Sequence, residues 1–485
     1  MLLKQFSRIL SVITTIVIIF LIIASFLSRQ KHHNEDNVSD NQKNELSMKI
    51  ILFQDFFTDS VLSPNKLIKN SFITNILKQL NNKNSKIEVL DKLEQSYQKH
   101  PQNDEICLKI IILKYSLGQN YNQYLLKLSQ TSTIKYKYLS CLISNKNKVT
   151  TLKNKLQNIN YIKSNIKNLW YQKELVFMQE GNCNDVILLK SYKEELRHNI
   201  VNESIKIVVA CILLLIIIII GLITILVFLS NQSAKQQLPI IYNIQALKSF
   251  TFFEVLIVFQ FWIGCQMLIG LIVQYVTHLE NNSEDLMTLS LSTLTTYFFG
   301  NIIPFSFIYL LAKSKKYTFT QIVNLTSFNE KYSLLQLILR GILGWCVAIP
   351  VIILSSILVN QFYHSKGSSN PIISYMVDAS GQSNVLALII LFITVSILAP
   401  LCEEILFRGF LFRFLITKYN FFIAAMISTL LFAGLHLDPN SSVQLFALGF
   451  IFTILTAKYQ SIIPSIITHG LWNGFTLIIV YTIFS

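Results

Sequence analysis

Nine apolar blocks constrain this chain of 485 residues more than any other feature. They fall near 9–27, 207–229, 252–276, 289–312, 334–359, 385–417, 421–436, 442–457 and 462–484. A hydrocarbon core of about 30 Å is crossed by roughly 20 helical residues rising 1.5 Å each, and most of the blocks reach that length. In lipid every backbone N–H and C=O must be satisfied within the spanning structure, and long uniform blocks do this as helices. The expected fold class is therefore all-α: a polytopic transmembrane helix bundle of about eight to nine spans, with an N-terminal helical extramembrane domain. Four parts follow: an anchor at 1–29, an extramembrane domain at 30–205, membrane helices at 206–380 and a membrane core at 381–485. No small-residue cleavage site follows the first block, which reads as a retained anchor.

The formal charge of +15 could suggest a nucleic-acid partner, but its placement says otherwise. Lys4, Arg8, Lys235, Lys248, Lys313, Lys315, Lys316, Lys331, Arg408, Arg413, Lys418 and Lys458 all fall on one side if the nine blocks are threaded in order. The opposite short loops carry Glu280, Glu284, Asp285, Asp378 and Asp438, with only Lys366 against them. This is the positive-inside pattern, so the expected partner is the lipid bilayer and not nucleic acid. It puts the N-terminus in the cytoplasm, 30–204 outside it, and the chain in a bacterial plasma membrane or an organellar or thylakoid-type membrane. Within 30–205, Ile106, Leu108, Ile110, Ile111, Leu113 and Leu117, then Tyr124, Leu125, Leu126 and Leu128, have helical spacing and suggest stacked hairpins of a tetratricopeptide-like kind. Residues 31–49 read as a polar linker. Cys107, Cys141 and Cys183 allow at most one disulfide there, and the cysteines of the spans read as small apolar fillers.

Against this apolar background the stretch APLCEEILFRGFLFR, 399–413, stands out. An unpaired carboxylate in hydrocarbon costs several kcal/mol, so two adjacent ones need a reason to be there. On a helix Glu404 and Arg408 share a face, and the arginine can neutralise that carboxylate. Glu403 points about 100° away and is left available. Six histidines (His32, His33, His100, His198, His278 and His364) read as loop or extramembrane residues, whereas His436 and His469 are embedded in apolar sequence. His469 and Asn473 are spaced to share one helix face, as are Phe432 and His436. Counted from their cytoplasmic turns, Glu403 and His436 lie at similar depth, with His469 and Asn473 in the same broad layer.

A carboxylate, two imidazoles and a carboxamide in a water-poor bundle suit amide hydrolysis: the carboxylate as base toward water, the others holding water or an oxyanion. A zinc version would use Glu403, His436 and His469, although neither HEXXH nor a cysteine-based zinc spacing occurs. The ordered set Glu403-Glu404-x-x-x-Arg408, Phe432-x-x-x-His436 and His469-x-x-x-Asn473 resembles the CAAX-processing and bacteriocin-processing (CPBP, or Abi) intramembrane proteases. The resemblance covers about 385–484. It implies an endopeptidase acting on a membrane protein or peptide, with Glu403, His436, His469 and Asn473 as catalytic residues and Glu404 and Arg408 as their support. It leaves open a glutamic or a metal-dependent type, with a divalent ion such as zinc as the cofactor in the second case. A scaffold or immunity-type membrane protein would also tolerate intramembrane charges but does not explain Glu403 beside an already paired Glu404, and a transporter, for which such charges are usual, commonly has repeated halves that this sequence does not show.

Overall fold

The computed structural model of the chain describes residues 82–99, 101–144, most of 160–180, 186–231, 245–280, 286–323, 332–362, 384–438 and 440–484. The first apolar block and the polar linker lie outside these residues. All regular structure among the described residues is helical, and the chain divides into two compact units, one drawn from 36–213 and one that includes 214–485.

In the first unit α1 (Asn82–Lys99), α2 (Asp104–Ser116), α3 (Asn122–Ser129), α4 (Ile134–Ser144) and α5 (Leu169–Glu180) follow one another. Asn103 starts α2 by accepting from the backbone N–H groups of Glu105 and Ile106 at 3.1 Å each. This satisfies two of the donors that every helix start leaves open. Beyond α2, Gly118 takes φ +69°, a left-handed conformation that glycine adopts without penalty. Leu93, Ile110, Ile111, Leu113, Leu139 and Trp170 form the dry centre. α5 folds back onto α2 and α4. Tyr124 donates to Glu94, which also pairs with Lys114 at 2.8 Å; burial and the Glu94 charge push the Tyr124 phenol up to about 12. Cys107 and Cys141 are free thiols.

Helix α6 (Val186–Asn231) carries the apolar stretch Ile212–Ser230. After the short α7 (Gln245–Lys248) come α8 (Phe252–Glu280), α9 (Leu286–Ser314), the short α10 (Phe319–Val323) and α11 (Leu334–Phe362). The last four are α12 (Val385–Ile416), α13 (Phe421–Leu435), α14 (Ser442–Tyr459) and α15 (Ile463–Phe484). Among the described residues six helices are long and apolar enough to cross a membrane, and the shorter apolar α13 and α15 accompany them. Many of their large apolar side chains are exposed, Leu226, Leu271 and Leu354 among them. In water such a surface would be a liability; against lipid it is the expected outer face. The chain is an integral, multi-pass membrane protein. His278, read from sequence as a loop residue, lies in the last turn or so of α8, because that helix runs past its apolar block.

Helix α12 changes pitch along its length. It is α-helical over Val385–Ile393, π-helical over Thr394–Leu398, α-helical over Ala399–Glu404 and π-helical again over Ile405–Phe412. Pro400 sits between the two wide segments, where it has no N–H to give and its ring crowds the carbonyl one turn back. A π-turn relieves that crowding, and such turns are frequent at functional sites.

Candidate functional site

Three helices deliver the ionisable groups. α12 brings Glu403, Glu404 and Arg408; the C-terminal end of α13 brings His436; α15 brings His469 and Asn473. α14 supplies the wall behind them through Gly449 and Phe452.

Glu404 and Arg408 are both fully buried and pair at 2.9 Å. The same carboxylate oxygen takes His469 Nδ1 at 3.0 Å, so Glu404 orients an imidazole as well as neutralising the guanidinium. Arg408 donates onward to the Gly449 carbonyl at 3.0 Å. Its guanidinium carbon lies 4.3 Å from the centre of the Phe432 ring and 5.1 Å from that of Phe452, close enough for cation–π attraction without water. Phe452 stacks on His469 with ring centres 4.8 Å apart. Gly449 is required by contact: a Cβ there would stand 3.0 Å from Arg408 Nη2, Phe432 Cδ1 and Thr429 Cγ2 alike.

His436 is held differently. Its Nδ1 lies 2.7 Å from the Phe432 carbonyl, which can only accept, so Nδ1 carries the hydrogen. The ionised Glu404 likewise only accepts, which puts a hydrogen on His469 Nδ1. Each neutral imidazole then turns the lone pair of its Nε2 inward, and both meet Glu403. Oε2 of Glu403 is 3.7 Å from His436 Nε2 and 3.9 Å from His469 Nε2, and it is buried without a hydrogen-bond partner. Three acceptors thus converge with no donor among them, an arrangement that an unbonded buried oxygen tolerates poorly unless a donor joins it. His436 is the open member, its side chain 31% exposed against 6% for His469. Just past it Leu437 takes φ +52°, which non-glycine residues seldom adopt, and Asp438 caps the turn by accepting from Asn440 and Ser441.

The donors are right in kind for a metal. Ligands about 2.0–2.2 Å from a tetrahedral zinc stand about 3.4 Å apart and two acceptors sharing one water about 4.5 Å apart, so spacings of 3.7 and 3.9 Å fall between the two. Among the described residues no group of three His, Cys, Asp or Glu is placed to hold a metal ion.

The amino group of Asn473 donates at 3.0 Å to the carbonyl of Val395, in the first π segment of α12. The α14 wall, the Phe432 carbonyl and this cross-helix bond were beyond the sequence reading, though Pro400 inside an apolar helix and the close-spaced Gly470 and Gly474 are signals a sequence carries.

Residues 385–475 match the family described as type II CAAX prenyl endopeptidase Rce1-like. The chain is also 36% identical over 89 residues to "Putative membrane peptidase YdiL" of Bacillus subtilis (strain 168), which covers 18% of this chain and 36% of that protein. The chain thus spans about a third of the length of the curated relative it matches. No solved structure matches it. The resemblance to the CPBP proteases therefore holds over residues 385–475, the stretch that carries Glu403, Glu404, Arg408, His436, His469 and Asn473.

Proposed function

We propose that the chain is an intramembrane endopeptidase that hydrolyses a peptide bond of a membrane-associated protein or peptide, with a water activated by Glu403. The observation that carries this reading is the convergence of Glu403 Oε2 with two imidazole Nε2 atoms, at 3.7 and 3.9 Å, around a point that has acceptors and no donor. A water there can give one hydrogen to Glu403 and one to an imidazole, leaving an oxygen lone pair free to attack a carbonyl.

As the C–O bond forms, the proton on the Glu403 side passes to that carboxylate, and the carbonyl oxygen becomes an oxyanion. His436, the half-open member, keeps its Nδ1–H on the Phe432 carbonyl while its Nε2 accepts the water's other hydrogen and so holds the nucleophile as it attacks. Glu403 then returns its proton to the amine nitrogen as the C–N bond breaks. Glu404 and Arg408 take no part in these transfers and keep His469 in the one tautomer that faces Glu403.

The experiment compares membrane peptides from cells carrying the parent protein and Glu403→Ala. Fragments present only with the parent, and lost equally with His436→Ala, are the expected result. The same fragments from all three strains would reject the assignment. On this metal-free reading a chelator such as 1,10-phenanthroline should leave cleavage by the purified protein within about twofold. A loss that added zinc restores would show that the donors close around a metal.

A further inference from the structure

From the pitch change in α12 we infer that Asn473 is a positioning residue, a side-chain replacement for the N–H that Pro400 lacks. This goes beyond the hydrolytic reading, since it concerns how two helices are locked in rotation and does not require that the site cleave anything.

The N–H of Ala399 donates to Thr394 O, five residues back, so the register at this point is that of a π-helix. In the same register the next donor would be residue 400 and its acceptor Val395 O. Residue 400 is proline, and a carbonyl in the membrane interior is left without its helical partner. An unsatisfied backbone carbonyl there would cost several kcal/mol. Asn473 Nδ2 reaches that oxygen from α15 at 3.0 Å, across 78 residues of sequence.

The approach is made possible by glycine. A Cβ on Gly470 would stand 2.5 Å from Ser396 O, and one on Gly474 would stand 3.1 Å from Ser396 Oγ. The segment HGLWNG, 469–474, therefore brings one bare face of α15, made by Gly470 and Gly474, against the π-turn, with Asn473 beside it. The α12–α15 pair is pinned twice: at Glu404 by His469 Nδ1 and at Val395 by Asn473. Two pins fix rotation where one leaves a swivel, and rotation of α12 is what sets the azimuth of Glu403 toward the imidazoles. Asn473 thereby acts on Glu403 through the backbone, and its amino group is committed to Val395, not to an oxyanion.

The test is a cycle of melting temperatures in detergent on the parent, Asn473→Ala, Pro400→Ala and the double variant, with Asn473→Leu alongside. Alanine at 400 restores an N–H that can satisfy the freed carbonyl. Loss of Asn473 should lower the melting temperature by a few degrees in the parent, and by less than half as much in the Pro400→Ala background. Asn473→Leu, which keeps the volume but offers no donor in any protonation state, should fall with Asn473→Ala. Equal losses in both backgrounds, or a Leu variant that melts with the parent, would overturn the assignment, and the second arm decides even if Pro400→Ala does not fold. Where fragments released by the parent are at hand as an activity readout, their loss in Asn473→Ala should be regained in the double variant to within about threefold of Pro400→Ala. A direct catalytic role would leave the double variant as inactive as Asn473→Ala.

Discussion

The same local motif occurs in both units: an acid followed four residues later by a base on a helix. In the first unit it is Glu105 and Lys109, 2.8 Å apart, with the glutamate side chain 58% exposed. In the membrane unit it is Glu404 and Arg408, 2.9 Å apart, with both side chains at 0%. The distances are nearly equal and the consequences are not. With the glutamate open to water such a pair adds a few tenths of a kcal/mol, because solvent already satisfies the exposed carboxylate. In the bundle neither ion has water to fall back on, so each depends on its partner and on the further contacts to His469, Gly449, Phe432 and Phe452. The first unit encodes its fold in apolar residues against a polar background. The membrane unit inverts this, and its information sits in a few polar groups and in the glycines that let helices close around them.

The largest expected effect tests which buried charge has a job beyond packing. Glu403→Gln keeps shape and removes the base, and it should reduce peptide hydrolysis by at least about 10²-fold with little change in melting temperature. An active Glu403→Gln protein would move the chemistry elsewhere.

Next comes the pair itself. Glu404→Gln leaves Arg408 buried without a counter-ion, a change of about 3–5 kcal/mol in comparable sites. It should lower melting temperature and yield, and activity as well, since His469 loses the acceptor that fixes its tautomer. A Glu404→Gln protein as stable as Glu403→Gln would mean that the two carboxylates are equivalent and that the distinction between brace and base is wrong.

Smaller again is Gly449→Ala. One methyl group would meet Arg408, Phe432 and Thr429 at 3.0 Å each, an overpacking of about 1–3 kcal/mol. Thermal melting checks it, and an unchanged value would show that the α14 wall yields easily and does not hold the guanidinium in place.

Much of this was legible before any coordinates. Apolar block length fixes the membrane helices, and the identity of the residues interrupting those blocks picks out Glu403, Glu404, Arg408, His436 and His469. Helical spacing pairs Glu404 with Arg408 because that contact lies within one helix. What spacing could not supply are contacts between helices: His469 with Glu404, Arg408 with Gly449 and Asn473 with Val395, separated by 65, 41 and 78 residues. Nor could it foresee that Asn473, one turn from His469, would turn its amino group to a backbone carbonyl, since that depends on the pitch change around Pro400. The fold of 82–180 was legible as helical for the usual reason of periodicity, while the return of α5 onto α2 and α4 is a tertiary choice made by buried residues such as Trp170.

The smallest effect belongs to the water-facing pair, and it tests the comparison most directly. Glu105→Gln removes the charge facing Lys109 and also an acidic residue from the first turn of α2, where it interacts favourably with the helix dipole. Together these contributions come to less than about 1 kcal/mol for an exposed group, and both are screened by salt. Lys109 packs its stem and is only 13% exposed, so replacing the glutamate tests charge without opening the core. The difference in melting temperature between Glu105→Gln and the parent should be slight at low salt and vanish as ionic strength rises toward 1 M, where the screening length is about 3 Å. The Glu404→Gln deficit should persist at the same salt, because no ions reach that pair. A salt-insensitive loss of several kcal/mol at Glu105 would show that exposure does not separate the two pairs, and the contrast drawn between the units would fail.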